Sequence, residues 1–290
     1  MKTATLPRLL IREGTARLGD GSVSRRLCER ILSELSSTGR TALYLEEREL
    51  SEEIIHEFFR LIEAMRGGEP FQYLLGKATF MEDSFRVTPE CFIPRPETEG
   101  VVEACLDYFG APQPQKPLLF IDIGTGSGCI AISLTKRLLC SKILAIDLME
   151  RALEVARQNA QFHGVTEKIA WICGDLFGPL RKGIEAEAIL SNPPYIPSGE
   201  IASLPPEVQK EPRVSLDGGA SGLRYYSRMA QEAAPFLKEK GLLLFEIGDG
   251  QSDPIAEIFS ESPFHLVEIR RDASGMPRLM IFRKGGSLYG

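Results

Sequence analysis

The chain has 290 residues and a formal net charge of −6, with 43% hydrophobic and 26% charged residues. That is room for one large domain, or for a small domain plus an α/β domain, of ordinary globular composition. The acidic balance argues against affinity carried by broad phosphate-backbone contact. No apolar run approaches a membrane span or a signal-peptide core, so a cytoplasmic protein with no membrane partner is expected.

The first seventy or so residues read as helical. Val23, Leu27, Ile31, Leu32 and Leu35 recur at helical spacing, and Ile54, Phe58, Ile62 and Met65 do so again. Ser51 is placed to N-cap the latter helix, Glu52 and Glu53 suit its positive end, and Gly67-Gly68 stops it. Residues 1–75 are therefore expected to form a small helical bundle. Between Gln72 and Pro94 the texture becomes Phe, Gly and Thr with Pro89-Glu90 as a turn, which reads as a β-hairpin over roughly 76–95 joining two domains. Ile93-Pro94-Arg95-Pro96 is extended, and Glu97 opens a helix.

Strand and helix patterns then alternate through 96–290. Strands are expected at Leu118–Ile123, Ile143–Ile146, Ile169–Cys173, Ala186–Leu190 and Leu242–Ile247. Helices are expected at Cys129–Leu139, Ala152–Phe162, Arg224–Leu237 and Pro254–Phe259. Two closing strands, Leu266–Arg270 and Leu279–Arg283, have no helix between them. The pattern predicts an α/β fold: a mostly parallel, Rossmann-like sheet covered on both faces, with an antiparallel edge pair.

The six cysteines contain no CxxC pair and the three histidines no HExxH, so no zinc or redox signature is present. His163, beside Gly164, reads as a surface helix cap. The chemistry-bearing signals lie elsewhere. Asp122-Ile123-Gly124-Thr125-Gly126-Ser127-Gly128 joins the first strand to a helix with GxGxG spacing. Glycines let a backbone turn tightly and approach a ligand, although such a turn needs glycine in any case. The second strand ends in Asp147, suited to the two hydroxyls of a ribose. The third ends in Gly174-Asp175-Leu176-Phe177, where Asp175 could accept from an exocyclic amine and Leu176 or Phe177 lie against the ring. Either Asp could instead cap a helix. No GKS or GKT follows the loop, which disfavours a nucleotide triphosphatase.

The fourth strand runs into Ser191-Asn192-Pro193-Pro194-Tyr195. Asn192 Oδ1 and the Pro193 carbonyl can accept the two N–H groups of a planar amide or amine, Pro193 and Pro194 stiffen the loop, and Tyr195 offers an aromatic face. Beside a nucleotide-type cofactor row, this suggests methyl transfer onto a planar nitrogen.

Taken together, Ile93-Pro94-Arg95-Pro96-Glu97-Thr98-Glu99, the glycine loop, Asn192 to Tyr195, Glu211-Pro212-Arg213, Leu216-Asp217-Gly218-Gly219 and Gln72-Tyr73-Leu74-Leu75-Gly76 resemble the bacterial protein-(glutamine-N5) methyltransferases over nearly the whole chain. Within them, the resemblance is to the release factor glutamine methyltransferase family. The resemblance implies a class I methyltransferase sheet and S-adenosylmethionine held by Gly124 to Gly128, Asp147, Asp175, Leu176 and Asn192. It implies that Pro94, Arg95, Glu97 and Thr98 border the methionine moiety. It also implies a substrate glutamine against Asn192, Pro193, Pro194 and Tyr195, carried by the Gly-Gly-Gln motif of class-1 peptide chain release factors. The N-terminal helices would grip that substrate. Rival readings are a ribosomal-protein glutamine as substrate, an adenine-N6 nucleic-acid methyltransferase with a similar loop, and a non-catalytic cofactor sensor. The acidic balance weighs against a nucleic-acid substrate.

Overall fold

A computed structural model describes residues 6–19, 21–45, 49–110, 116–272 and 274–285. They fall into two compact units, Met1–Leu75 with Pro205–Lys210, and Gly76–Leu204 with Glu211–Gly290.

The first unit holds α1 (Pro7–Leu18), α2 (Ser22–Ser36), α3 (Ala42–Leu45), α4 (Glu52–Arg66) and α5 (Phe71–Leu75). Its core joins Leu10 and Ile11 of α1 to Ile31 and Leu32 of α2 and Phe58 and Ile62 of α4; the helical spacing marks the α2 and α4 faces, although Val23, at the start of the α2 pattern, is exposed. Ser51 caps α4 by accepting from the Ile54 amide at 3.4 Å. Gly14 lets α1 approach closely, since a Cβ there would stand 2.7 Å from the Phe58 ring. Pro205–Lys210 carries a short helix, α9 (Pro206–Gln209), and Lys210 pairs with Glu69 at 3.1 Å. By chain order alone this segment belongs with 96–290, and the structure assigns it to the first unit instead. A four-residue helix behind Pro205-Pro206 has too few side chains for a periodicity that would assign it.

The second unit opens with the hairpin β1 (Lys77–Phe80) and β2 (Asp83–Arg86). The turn that closes it is Met81-Glu82, both at positive φ; Pro89-Glu90 is a turn as expected, but a separate one after β2, closed by the Cys91 amide on the Thr88 carbonyl at 3.1 Å. Met-Glu carries none of the usual signals for such a turn. Tertiary contacts hold it instead: the Met81 amide donates to Glu99 Oε1 at 2.7 Å, and Arg137 Nη2 donates to the Met81 carbonyl at 2.6 Å. Gln72 to Leu75, just before the hairpin, are helical in α5. His163 is the C-cap residue of the helix Glu150–Phe162, as expected, but it is half-buried rather than on the surface. Its ring lies 4.9 Å from Phe85, and Nε2 is 2.9 Å from the Ser84 carbonyl.

The sheet comprises β3 (Leu118–Ile123), β4 (Ser141–Asp147), β5 (Ile169–Cys173), β6 (Ala186–Ser191), β7 (Leu237–Glu246), β8 (Phe264–Arg271) and β9 (Pro277–Lys284), in the order β5-β4-β3-β6-β7-β9-β8. The first five are parallel, and β9 runs antiparallel between β7 and β8. One face packs on α6 (Glu99–Phe109), α7 (Cys129–Arg137) and α8 (Glu150–Phe162), the other on α10 (Arg224–Glu232) and α11 (Ser252–Ser260). Strands with both faces covered read as continuous apolar runs, which is why β3 and β6 stand out in the sequence. Most boundaries fall within three residues of expectation, and two are displaced by five. α10 stops at Glu232 because Pro235 cannot continue it, and β7 begins five residues early, through the polar Lys238-Glu239-Lys240. Among the described residues, no helix is long and apolar enough to cross a membrane.

Candidate active site

Chain order reverses between β3 and β6, which lie side by side with Ile123 opposite Ser191. In open α/β sheets, the strand ends at such a switch point form the ligand crevice. The glycine loop leaves β3 there and Asn192-Pro193-Pro194 leaves β6. Ser191 Oγ donates to the Ile123 carbonyl at 2.8 Å and ties the two together.

A cavity of about 960 Å³, its open mouth included, occupies this edge. Its wall includes Gly124 to Ser127, Asp147, Asp175, Leu176, Asn192, Pro193 and Pro194. Gly124 and Gly126 have φ of 71° and 55°, and a Cβ on Gly126 would meet nothing within 4 Å, so its backbone stands open to a ligand. Gly128 differs. It is not on the wall, and a Cβ there would press at 3.1 Å on Ala156, Ile132 and Trp171, so its lack of a side chain serves helix packing.

The loop is braced from several sides. Thr125 Oγ1 donates to Asp122 Oδ2 at 2.6 Å, and the Gly126 amide donates to Asp147 Oδ2 at 2.8 Å. Asn159 of α8 donates to the Ser127 carbonyl at 2.8 Å and to the Arg86 carbonyl at 3.0 Å, so one side chain holds glycine loop and hairpin together. Burial lifts the Asp122 carboxyl to about 7, with the Thr125 hydroxyl opposing. Burial raises Asp147 as well, against the amides of Met149 and Gly126. Ser127 Oγ, buried on the wall, finds no hydrogen-bond partner among the described residues.

Asp175 lines the cavity, but Arg228 Nη1 donates to both of its carboxylate oxygens, at 2.8 and 2.7 Å. Leu176, at φ 47°, is on the wall, whereas Phe177 turns away and stacks on Phe236 with centroids 5.3 Å apart. Of the Pro94-to-Thr98 segment, Pro94 and Thr98 reach the wall. Arg95 and Glu97 do not: Arg95 pairs with the buried Glu211, which also accepts from the Ile93 amide at 3.1 Å.

Asn192 Nδ2 donates to Thr98 Oγ1 at 2.8 Å, and Thr98 Oγ1 donates to Glu246 Oε2 at 2.5 Å. Asn192 Oδ1 makes no hydrogen bond among the described residues. Tyr195 is absent from the wall. Its ring is half-buried against the α10 side of the sheet, its hydroxyl lies 3.3 Å from Glu246 Oε1, and its carbonyl accepts from Gln251 Nε2 at 2.9 Å. Tyr225 lines the cavity instead. The loop Leu216 to Gly222 clamps the rim. The Ile196 amide donates to the Leu216 carbonyl and the Gly218 amide to the Ile196 carbonyl, and a Cβ on Gly222 would sit 2.4 Å from the Tyr195 carbonyl. Sequence reading missed Asn159 and Tyr225, whose local pattern is plainly helical, and Gln251, which precedes α11; the bonds of Asn159 to Ser127 and Arg86 and of Gln251 to Tyr195 span 32 to 73 residues of chain.

Residues 10–76 match the PrmC N-terminal domain family and 113–203 the methyltransferase small domain family. The release factor glutamine methyltransferase of Thermodesulfovibrio yellowstonii is 34% identical over 273 residues, covering 92% of this chain and 95% of that protein. The chain belongs to the release factor glutamine methyltransferase family. Another member, from Moorella thermoacetica, is 39% identical over 249 residues, 85% of this chain and 87% of the relative. A methyltransferase structure from Pyrococcus furiosus, 19% identical, matches with a TM-score of 0.52 over 69% of this chain and 88% of that one, a likeness of fold. In this family member, then, the sequence expectation of a methyltransferase sheet holds.

Proposed function

We propose that this protein transfers a methyl group from S-adenosylmethionine to the side-chain amide nitrogen of the glutamine in the Gly-Gly-Gln motif of class-1 peptide chain release factors, in the cytoplasm. The observation that carries the reading is Asn192. Its amino end is committed to Thr98, so its free oxygen is an acceptor on the cavity wall, one strand from a glycine loop at the switch point.

The residues fit the cofactor: open glycine backbone, an acidic strand end at Asp147, a buried Ser127 hydroxyl without a partner among the described residues and an apolar wall at Leu176. Gly124 to Ser127, Asp147, Leu176 and Asn192 would hold it, with Asp175 at the edge. When bound, S-adenosylmethionine supplies a methyl group already activated by a sulfonium. The protein's task is then to orient a weak nucleophile and exclude water. Asn192 Oδ1 and the Pro193 carbonyl accept the two amide N–H groups and hold the nitrogen's lone pair toward the donor. These bonds strengthen as the nitrogen gains positive charge, so they favour the transition state over the ground state. Pro193 and Pro194 lack N–H groups and have fixed φ, so the rim keeps its shape without donors that would compete. The nitrogen sheds its proton to solvent after the C–N bond forms, when it is strongly acidic, so no general base is required.

The test is mass spectrometry of a release factor, a ribosomal-protein extract and an oligonucleotide, each incubated with enzyme and methyl-labelled donor. Label on the Gly-Gly-Gln glutamine is expected. Label on ribosomal protein or oligonucleotide with none on the factor refutes the reading.

A further inference from the structure

Glu246 has no part in the reaction as described, yet it is a carboxylate 2% exposed at the end of β7. It points to the face of the sheet covered by α6, as do Leu244 and Leu242 two and four residues before it. Oε2 accepts from Thr98 Oγ1 at 2.5 Å, and Oε1 faces the Tyr195 hydroxyl at 3.3 Å. Thr98 Oγ1 also accepts from Asn192 Nδ2 at 2.8 Å.

A hydroxyl has one proton to give. While Glu246 is ionised, the Thr98 proton must point at it, and Thr98 offers Asn192 only lone pairs. The NH₂ end of the Asn192 carboxamide is then the only end that can face Thr98. We propose that Thr98 and the ionised Glu246 form a positioning relay that selects the orientation of Asn192 in which Oδ1 faces the substrate nitrogen, with the Tyr195 hydroxyl steadying the far oxygen of the carboxylate. This rests on the amide-methylation reading above and assigns a role to residues outside the Asn-Pro-Pro-Tyr motif.

The relay has a second setting. A protonated Glu246 donates to Thr98, the Thr98 proton turns to Asn192, and the carboxamide flips to receive it. Its NH₂ group then meets the substrate's N–H groups, donor against donor. No bond other than hydrogen bonds is made or broken. The groups that bias the setting surround Glu246. Burial disfavours the ion most, the Thr98 hydroxyl favours it, Glu97 before α6 opposes it, and Tyr195 and Arg278 of β9 favour it, leaving the carboxyl at about 7. On the α10 side, the Tyr226 hydroxyl donates to the Glu246 carbonyl at 2.9 Å, which fixes the strand end.

The experiment uses the full chain, a release factor and labelled donor under single turnover. Thr98→Val keeps shape and removes the hydroxyl. It is expected to lower the rate on the order of 10-fold or more at pH 8, with donor Kd by calorimetry changed less than about threefold. Thr98→Ser, which keeps the hydroxyl, rescues most of that loss. The wild-type rate falls about tenfold per pH unit well below pH 7, and Glu246→Gln removes that acid limb. A Thr98→Val rate within threefold of wild type, or a flat wild-type profile from pH 6 to 8, overturns the relay. Should Thr98→Val not fold, the wild-type and Glu246→Gln profiles decide. If wild type methylates the factor and Thr98→Val does so equally, the relay fails and the function stands. If wild type does not methylate it, the function fails, and exchange of the Asn192 side-chain amide protons by NMR judges the relay. Protection lost in Thr98→Val supports it, and equal exchange overturns it.

Discussion

Asn192→Ala separates acceleration from binding. The substitution removes one of two acceptors for the substrate amide and the Nδ2 bond to Thr98 at 2.8 Å. Thr98 keeps its bond to Glu246, and Ser191 keeps its bond to the Ile123 carbonyl, so the β6 end stays in place. A neutral hydrogen bond contributes only about 1 kcal/mol to a ground state exchanging with water. In a water-excluded site aimed at developing charge, loss of one preorganised partner costs about 3 kcal/mol, a rate loss on the order of 10²-fold. The single-turnover rate with labelled donor should fall by that amount, far more than the rise in donor Kd, since Asn192 is one of several residues on the cofactor's wall. A loss below about fivefold, or one confined to the substrate KM, would refute the assignment of Asn192 as an acceptor that gains strength in the transition state.

Other expectations follow from the same geometry. Gly222→Ala places a Cβ 2.4 Å from the Tyr195 carbonyl and 2.7 Å from Gln251 Nε2, at φ +74°. It should lower kcat and destabilise by about 1–3 kcal/mol in thermal unfolding, and an unchanged melting curve with full activity would show the rim is not held there. Asp147→Ala leaves the Gly126 and Met149 amides without their acceptor and should weaken donor binding on the order of 10-fold by calorimetry; unchanged affinity counts against the acid in the cofactor row. Phe177→Ala should cost about 3–5 kcal/mol of stability with donor Kd nearly unchanged, because its ring stacks on Phe236 and not on the cavity. Leu176→Ala should do the reverse, raising donor Kd, and the opposite pattern would return the adenine contact to Phe177.

Most of the sheet was legible in the sequence because its signals are local. Leu118–Ile123 and Ile169–Cys173 match their strands residue for residue, since largely apolar runs that end at Gly124 and Gly174 need no distant partner to be read. The boundaries that slipped lacked such punctuation: β7 begins in charged residues, and the hairpin turns at Met-Glu, a pair held by Glu99 and Arg137 from elsewhere in the chain. The glycine loop and Asn-Pro-Pro rim could likewise be placed at strand ends before any coordinates. The division of labour among them could not. Gly128 packs a helix, Phe177 faces the core and Arg95 pairs with Glu211, although each adjoins a residue on the cavity wall.

By itself, then, the sequence determined the alternation of elements, the two motifs at neighbouring strand ends and the kinship to a methyltransferase family. These depend on period, composition and short spacing, which any chain displays without folding. The tertiary structure alone decided that β9 lies between β7 and β8, and that Thr98, Asn192 and Glu246 meet across 94 and 148 residues of chain. Alternation says which face a side chain takes, but strand order and register choose its partner, and a hydrogen bond exists only where both agree to within a few tenths of an ångström.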